Sequence, residues 1–108
     1  MIAEIEPAEL DAWRRDDKRA APLVVDVRER WELDVCAFDG ARSLPLSTHA
    51  HALLELPRDE DIVVVCHHGV RSFQVTAWLA HRGWSRVHNL RGGLAAWADQ
   101  VDPAMARY

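Results

Sequence analysis

Apolar positions fall into two kinds of run that alternate along the chain. Leu23-Val24-Val25-Asp26-Val27 and Ile62-Val63-Val64-Val65-Cys66 are short, nearly continuous and rich in β-branched residues. Runs of this kind predict strands buried on both faces, hence central strands of a parallel sheet. Elsewhere apolar residues recur three or four apart, the helical period. Pro7 suits a first helical turn, and Leu10 and Trp13 extend a helix over Pro7–Arg15. Trp31 and Val35 predict a short helix over 29–35. A helix over 49–56 would be capped by Ser47 or Thr48 and ended by Pro57. Residues 71–82 carry the widest apolar face, through Phe73, Val75, Ala77, Trp78, Leu79 and Ala80, and Gly83 closes it. Leu94 and Trp97 mark a closing helix over 94–98. Residues 2–5, 42–44 and 87–90 predict brief strands.

Strands alternating with helices predict an α/β domain whose mainly parallel sheet is flanked by helices on both faces. A chain of 108 residues has room for one core. Residues 1–108 are therefore expected to form a single domain, with 102–108, which contain Pro103, as a loose tail.

Composition narrows the function. The net charge of −4, with arginines scattered along the chain, argues against a nucleic-acid binder. No apolar run is long enough for a membrane span, and the first residues lack the basic and apolar stretches of a signal peptide. A cytoplasmic location is expected. Cys36 and Cys66 form no C-x-x-C pair, so neither a structural zinc site nor a disulfide scaffold is indicated. A Cys36–Cys66 disulfide disagrees with a reducing compartment, and free thiols are expected. The five tryptophans are expected in the core.

The chemistry concentrates where the 62–66 run ends. A strand that turns through one glycine into a helix brings its loop against unpaired backbone N–H groups, which with the helix dipole favour negative charge. Free thiols titrate near 8.5, and helix N-termini with nearby cations lower this to about 3.5–7.5. Cys66 is thus the candidate nucleophile, against the alternative of an inert buried thiol. Arg71, on the first helical turn, opposes the dipole and calls for a compensating anion. Gly69 allows the loop a positive φ. The adjacent His67 and His68 have no third ligand at a supporting spacing, so no metal is expected, and their side chains are expected to line an entrance. Asp26 and Arg28 lie at the carboxyl end of the other central strand, the edge where sites of open α/β sheets collect.

Taken together, four segments resemble the single-domain rhodanese family of thiosulfate sulfurtransferase-like proteins. These are Leu23-Val24-Val25-Asp26-Val27-Arg28-Glu29 with Trp31-Glu32, Gly40-Ala41 with Leu44-Pro45-Leu46, Ile62–Cys66 with Gly69, Arg71 and Ser72, and Val87-His88-Asn89-Leu90-Arg91-Gly92-Gly93 with Trp97. The resemblance implies a rhodanese-like sheet of about five strands. It also implies transfer of a sulfane sulfur, from a donor such as thiosulfate to cyanide or a thiol, through a persulfide on Cys66 without a cofactor. Arg71 would steady the departing sulfite, and main-chain N–H groups of His67, His68, Gly69, Val70, Arg71 and Ser72 would cradle the outer sulfur. Asp26, Arg28 and Glu32 would form a supporting ion-pair network.

Four residues separate Cys66 from Arg71, whereas related phosphatases use five, which makes room for phosphate. A phosphatase or arsenate reductase is the remote alternative. The nearer alternative is a sulfur-carrier module that takes or delivers persulfide sulfur through a partner protein. Cys36-Ala37-Phe38-Asp39-Gly40-Ala41 departs from the family's Gly-His-Ile-Pro-Gly-Ala. There Cys36 is expected as an apolar filler, with a second redox thiol as the alternative.

Overall fold

The two apolar runs lie side by side at the centre of one parallel sheet. A computed structural model describes residues 2–108. Its strands are β1 (Glu4–Ile5), β2 (Leu23–Asp26), β3 (Arg42–Ser43), β4 (Ile62–Val65) and β5 (Val87–Leu90), in the order β1-β5-β4-β2-β3. Every pairing is parallel, and β4 pairs with β2 from Leu23↔Ile62 to Asp26↔Val65. All four β4 residues are buried because both sheet faces are covered. Ile62 and Val64 join Val75, Leu79 and Trp84 on one side. Val63 and Val65 join Leu10, Trp13, Leu94 and Trp97 on the other.

The helices are α1 (Pro7–Arg15), α2 (Arg30–Val35), α3 (Leu46–His49), α4 (Val70–His81) and α5 (Gly93–Gln100). The α/β class and the parallel sheet agree with expectation. The helix expected over 49–56 is instead the single turn of α3 followed by a 3-10 segment, Ala50–Glu55. Ser47 caps neither, since its N–H and hydroxyl donate to the Glu29 carboxylate. The buried stripe of α4 is Ser72, Val75, Thr76 and Leu79, while Phe73 lies exposed. Two polar residues complete this stripe, and both hydroxyls find partners. Thr76 Oγ1 donates to the Ser72 carbonyl at 2.8 Å.

Trp31, expected in the core, is 61% exposed, with its ring edge against Tyr108 at 5.5 Å. The closing segment 102–108, expected to be loose, turns back so that Tyr108 rests on the carboxyl edge of the sheet region, among α2 and the β4–α4 loop. That edge is also where the topology diverges. From β2 the chain moves outward to β3, and from β4 it moves the opposite way to β5. The loops leaving the two central strands part there, opening the crevice in which such sheets bind ligands.

Candidate active site

Cys66 directly follows β4, and the loop after it is built by glycines. Gly69 has φ +88°, and a Cβ there would stand 3.0 Å from the Gly92 nitrogen. Gly93 has φ +62°, and a Cβ there would stand 2.5 Å from the carbonyl oxygens of Cys66 and His67. Those two carbonyls accept the Leu94 and Ala95 N–H groups, each at 2.9 Å. The loop carbonyls thus point to the start of α5, while its N–H groups turn inward. Gly69 N–H donates to Cys66 Sγ at 3.1 Å and Ser72 N–H at 3.4 Å. Cys66 is 1% exposed, and besides these two backbone donors its sulfur has Ser72 Oγ 3.3 Å away. An anionic sulfur would be held there by fixed backbone dipoles.

Arg71 meets its compensating anion in Glu32. Nη1 and Nη2 donate to Oε1 and Oε2 at 2.6 and 2.8 Å, a bidentate pair. Glu32 is buried, and also accepts the Glu29 N–H at 3.1 Å and the Tyr108 hydroxyl at 2.6 Å. Hydrogen bonding to Arg71 first, and to Tyr108 after it, holds the carboxyl at about 2 despite burial. The same pairing with Glu32 raises Arg71. Two of the five guanidinium N–H groups are committed, which leaves three for another partner.

Asp26, Arg28 and Glu32 do not form one chain of ion pairs. Arg28, fully buried, donates through Nε and Nη2 to Asp26 at 2.7–3.1 Å and through Nη2 to the Cys36 carbonyl at 2.9 Å. It therefore fastens the end of β2 to the end of α2. Tyr108 joins the two pairs, since Arg28 Nη1 donates to its hydroxyl at 3.2 Å and that hydroxyl donates to Glu32. Burial first, helped by Glu32 and opposed by Arg28, pushes the phenol up to about 12, so it stays a donor at neutral pH.

His67 and His68 stack with centroids 3.9 Å apart, and the Tyr108 ring stacks on His67 at the same distance. Burial, then repulsion from His68, keeps the His67 imidazole below its usual value. These rings wall a cavity of about 140 Å³ together with Cys36 and Leu94. Cys36 and Cys66 are both free thiols. Cys36 is half-buried rather than packed as a purely apolar filler, with Arg28 Nη1 3.5 Å from its sulfur. Val70, on the first turn of α4, is 64% exposed.

Two residues at the site were assigned no role by sequence reasoning. Tyr108 sits in a segment with no periodicity. Asn89, on β5, is buried beside Ser72, with Oδ1 2.5 Å from Ser72 Oγ.

Comparison with known proteins agrees with this architecture. Residues 6–100 match the model of the rhodanese-like domain. The chain is 36% identical over 106 residues to a sulfurtransferase of Allochromatium vinosum, covering 98% of this chain and 97% of that one. It is 37% identical to the probable adenylyltransferase/sulfurtransferase MoeZ of Mycobacterium tuberculosis, covering 96% of this chain but 26% of that protein. Among solved structures, a rhodanese-like domain protein of Staphylococcus aureus superposes with a TM-score of 0.81 at 28% identity, covering 93% of this chain and 95% of that one. The parallel five-strand sheet, the cysteine loop at its carboxyl edge and these matches place the chain in the rhodanese-like sulfurtransferase family.

Proposed function

We propose that the protein transfers sulfane sulfur through a persulfide on Cys66. The reading is carried by one observation: Cys66 Sγ lies inside a loop whose Gly69 and Ser72 N–H groups point at it. The Cys66 thiolate attacks the outer sulfur of thiosulfate. A new S–S bond forms, the S–S bond of thiosulfate breaks, and sulfite leaves with the bonding pair. Cyanide or a thiolate then attacks the outer sulfur of the persulfide, and Cys66 departs again as a thiolate. Oxidation states balance without any further reductant.

His67, His68, Gly69, Val70, Arg71 and Ser72 form the cradle in this reading. A free edge of the Arg71 guanidinium serves the sulfonate end of the donor, while Glu32 keeps the guanidinium in place. Asp26 and Arg28 support the site by fixing the far end of α2, from whose first turn Glu32 projects. The four-residue spacing between Cys66 and Arg71 supports sulfur over phosphate, and two free thiols suit a reducing compartment such as the cytoplasm.

A second reading, delivery to or from a protein persulfide, is favoured by the exposed apolar residues beside the loop, Trp31, Val70 and Phe73. A donor panel with cyanide as acceptor tests both. Turnover with thiosulfate, abolished in Cys66→Ser, supports the first. Negligible turnover with thiosulfate but rapid loading from a protein persulfide supports the second. Sulfur transfer undiminished in Cys66→Ser would remove both.

A further inference from the structure

Behind Cys66 lies a buried polar chain whose hydrogen bonds can run in one direction only. Asn89 Nδ2 donates to Glu4 Oε2 at 2.9 Å and to the Gly69 carbonyl at 3.2 Å. A reversed amide would set its oxygen against two acceptors, so Oδ1 must face Ser72. Ser72 Oγ stands 2.5 Å from that oxygen and therefore gives it the one hydroxyl proton it has. What Ser72 then turns toward Cys66 Sγ, 3.3 Å away, is a lone pair. A thiol can donate to that lone pair. A thiolate cannot, and gains the hydroxyl only by taking it from Asn89. Ser72 and Asn89 are buried away from water, so an Oδ1 abandoned in this way finds no substitute partner.

We propose that Asn89, oriented by Glu4, is a positioning residue that withholds the Ser72 hydroxyl from the Cys66 thiolate. The thiolate is then held by the Gly69 and Ser72 N–H groups alone. It is more basic, and so more nucleophilic toward a sulfur electrophile, than the loop would otherwise leave it. Once the outer sulfur is loaded, the bridging sulfur carries no charge, and the hydroxyl rests on Asn89 at no cost. The pair thereby favours the loaded state over the empty thiolate. This inference rests on Cys66 being the nucleophile.

Other charged or titratable groups lie around the loop and behind Asn89. Arg71, His67 and His68 lie on the loop side, Glu32 and Tyr108 on the side of α2 and the closing segment, and Glu4 with its partner Arg91 behind Asn89. They remain when Asn89 is replaced, so a comparison of variants isolates the hydroxyl.

The test is the pH profile of iodoacetamide alkylation at Cys66, followed on the Cys66 peptide by mass spectrometry so that Cys36 does not contribute. In Asn89→Leu the freed hydroxyl turns to the thiolate. The midpoint falls by about half to one pH unit, and the plateau rate falls by about two-fold, as a weaker base reacts more slowly. In a Ser72→Ala background, where there is no hydroxyl to withhold, the same substitution moves neither quantity. An unchanged or raised midpoint in Asn89→Leu, or an equal shift in both backgrounds, overturns the proposal. Should Asn89→Leu not fold, Asn89→Val, β-branched and suited to a strand, removes the acceptor with less bulk. Its midpoint falls, and does not fall in the Ser72→Ala background; an unchanged midpoint or equal falls in both backgrounds overturn the proposal. Alkylation reports on the thiolate whether or not sulfur is transferred, so the outcome is separable from the failure of the proposed function.

Discussion

Glu32 grips Arg71 through both carboxylate oxygens, at 2.6 and 2.8 Å, from a helix on the other side of the crevice. The first turn of α4, next to the loop that holds Cys66, is thereby tied to α2. Breaking a fully buried ion pair costs about 3–5 kcal/mol, but the Arg71 side chain is 37% exposed and water offsets part of this. Glu32→Gln is expected to lower stability by about 2 kcal/mol in urea unfolding. Asp61→Asn, which breaks the solvent-exposed pair with Arg86, should cost clearly less than Glu32→Gln.

The same pair sets a pH dependence. The Glu32 carboxyl is held at about 2, below its ordinary 4.5, chiefly by Arg71. A depressed carboxyl stabilises the fold fully above its unfolded value and loses that contribution as pH falls through the folded one. The stability gap between the parent protein and Glu32→Gln should therefore be constant above about pH 5 and close between about pH 4.5 and 2. A gap that stays open at the acid end would disconnect Glu32 from the acid lability.

Tyr108 separates into two functions by substitution. Tyr108→Phe removes the hydroxyl bonds to Glu32 and Arg28 but keeps the ring on His67. Tyr108→Ala removes both. An aromatic stack of this kind is worth about 0.5–1.5 kcal/mol. Alkylation of Cys66 should thus quicken about two- to ten-fold in Tyr108→Ala, with little change in Tyr108→Phe. Equal rates in all three proteins would mean that the ring does not guard the sulfur.

Gly93 is where the loop tolerates no side chain. In Gly93→Ala, the new methyl would meet two carbonyl oxygens at 2.5 Å with φ at +62°. Gly40→Ala has a similar φ, +80°, but no atom nearer than 3.8 Å. Thermal unfolding should show a loss of about 1 kcal/mol at Gly40, from the backbone alone. At Gly93 it should exceed about 2 kcal/mol, because overpacking adds to it.

The central strands and the nucleophile loop were legible because their signals are local. β-branched runs mark β2 and β4, and a strand that meets a cysteine, a glycine and a helix marks the loop. Arg71 announced that it needed an anion by standing at a helix N-terminus; only its partner was hidden, since Glu32 comes from another element. Ser72 and Thr76 disguised the buried face of α4, because a face-counting rule expects apolar residues there. Asn89 and Tyr108 were illegible for a different reason. Asn89 reaches Ser72 because β5 is the neighbour of β4, and Tyr108 reaches Glu32 because the closing segment returns to the crevice. The strand that carries Asn89 was legible, but neither its contact with Ser72 nor that of Tyr108 with Glu32 is written in the residues beside them.

The central claim is that Cys66 carries the sulfur. Intact mass measurement of the protein after incubation with thiosulfate, followed by peptide mapping, tests it most directly. The account predicts the added mass of one sulfur atom on the Cys66 peptide, removed by cyanide with release of thiocyanate, and absent in Cys66→Ser. Sulfur found on Cys36 instead, or added equally to Cys66→Ser, would contradict it.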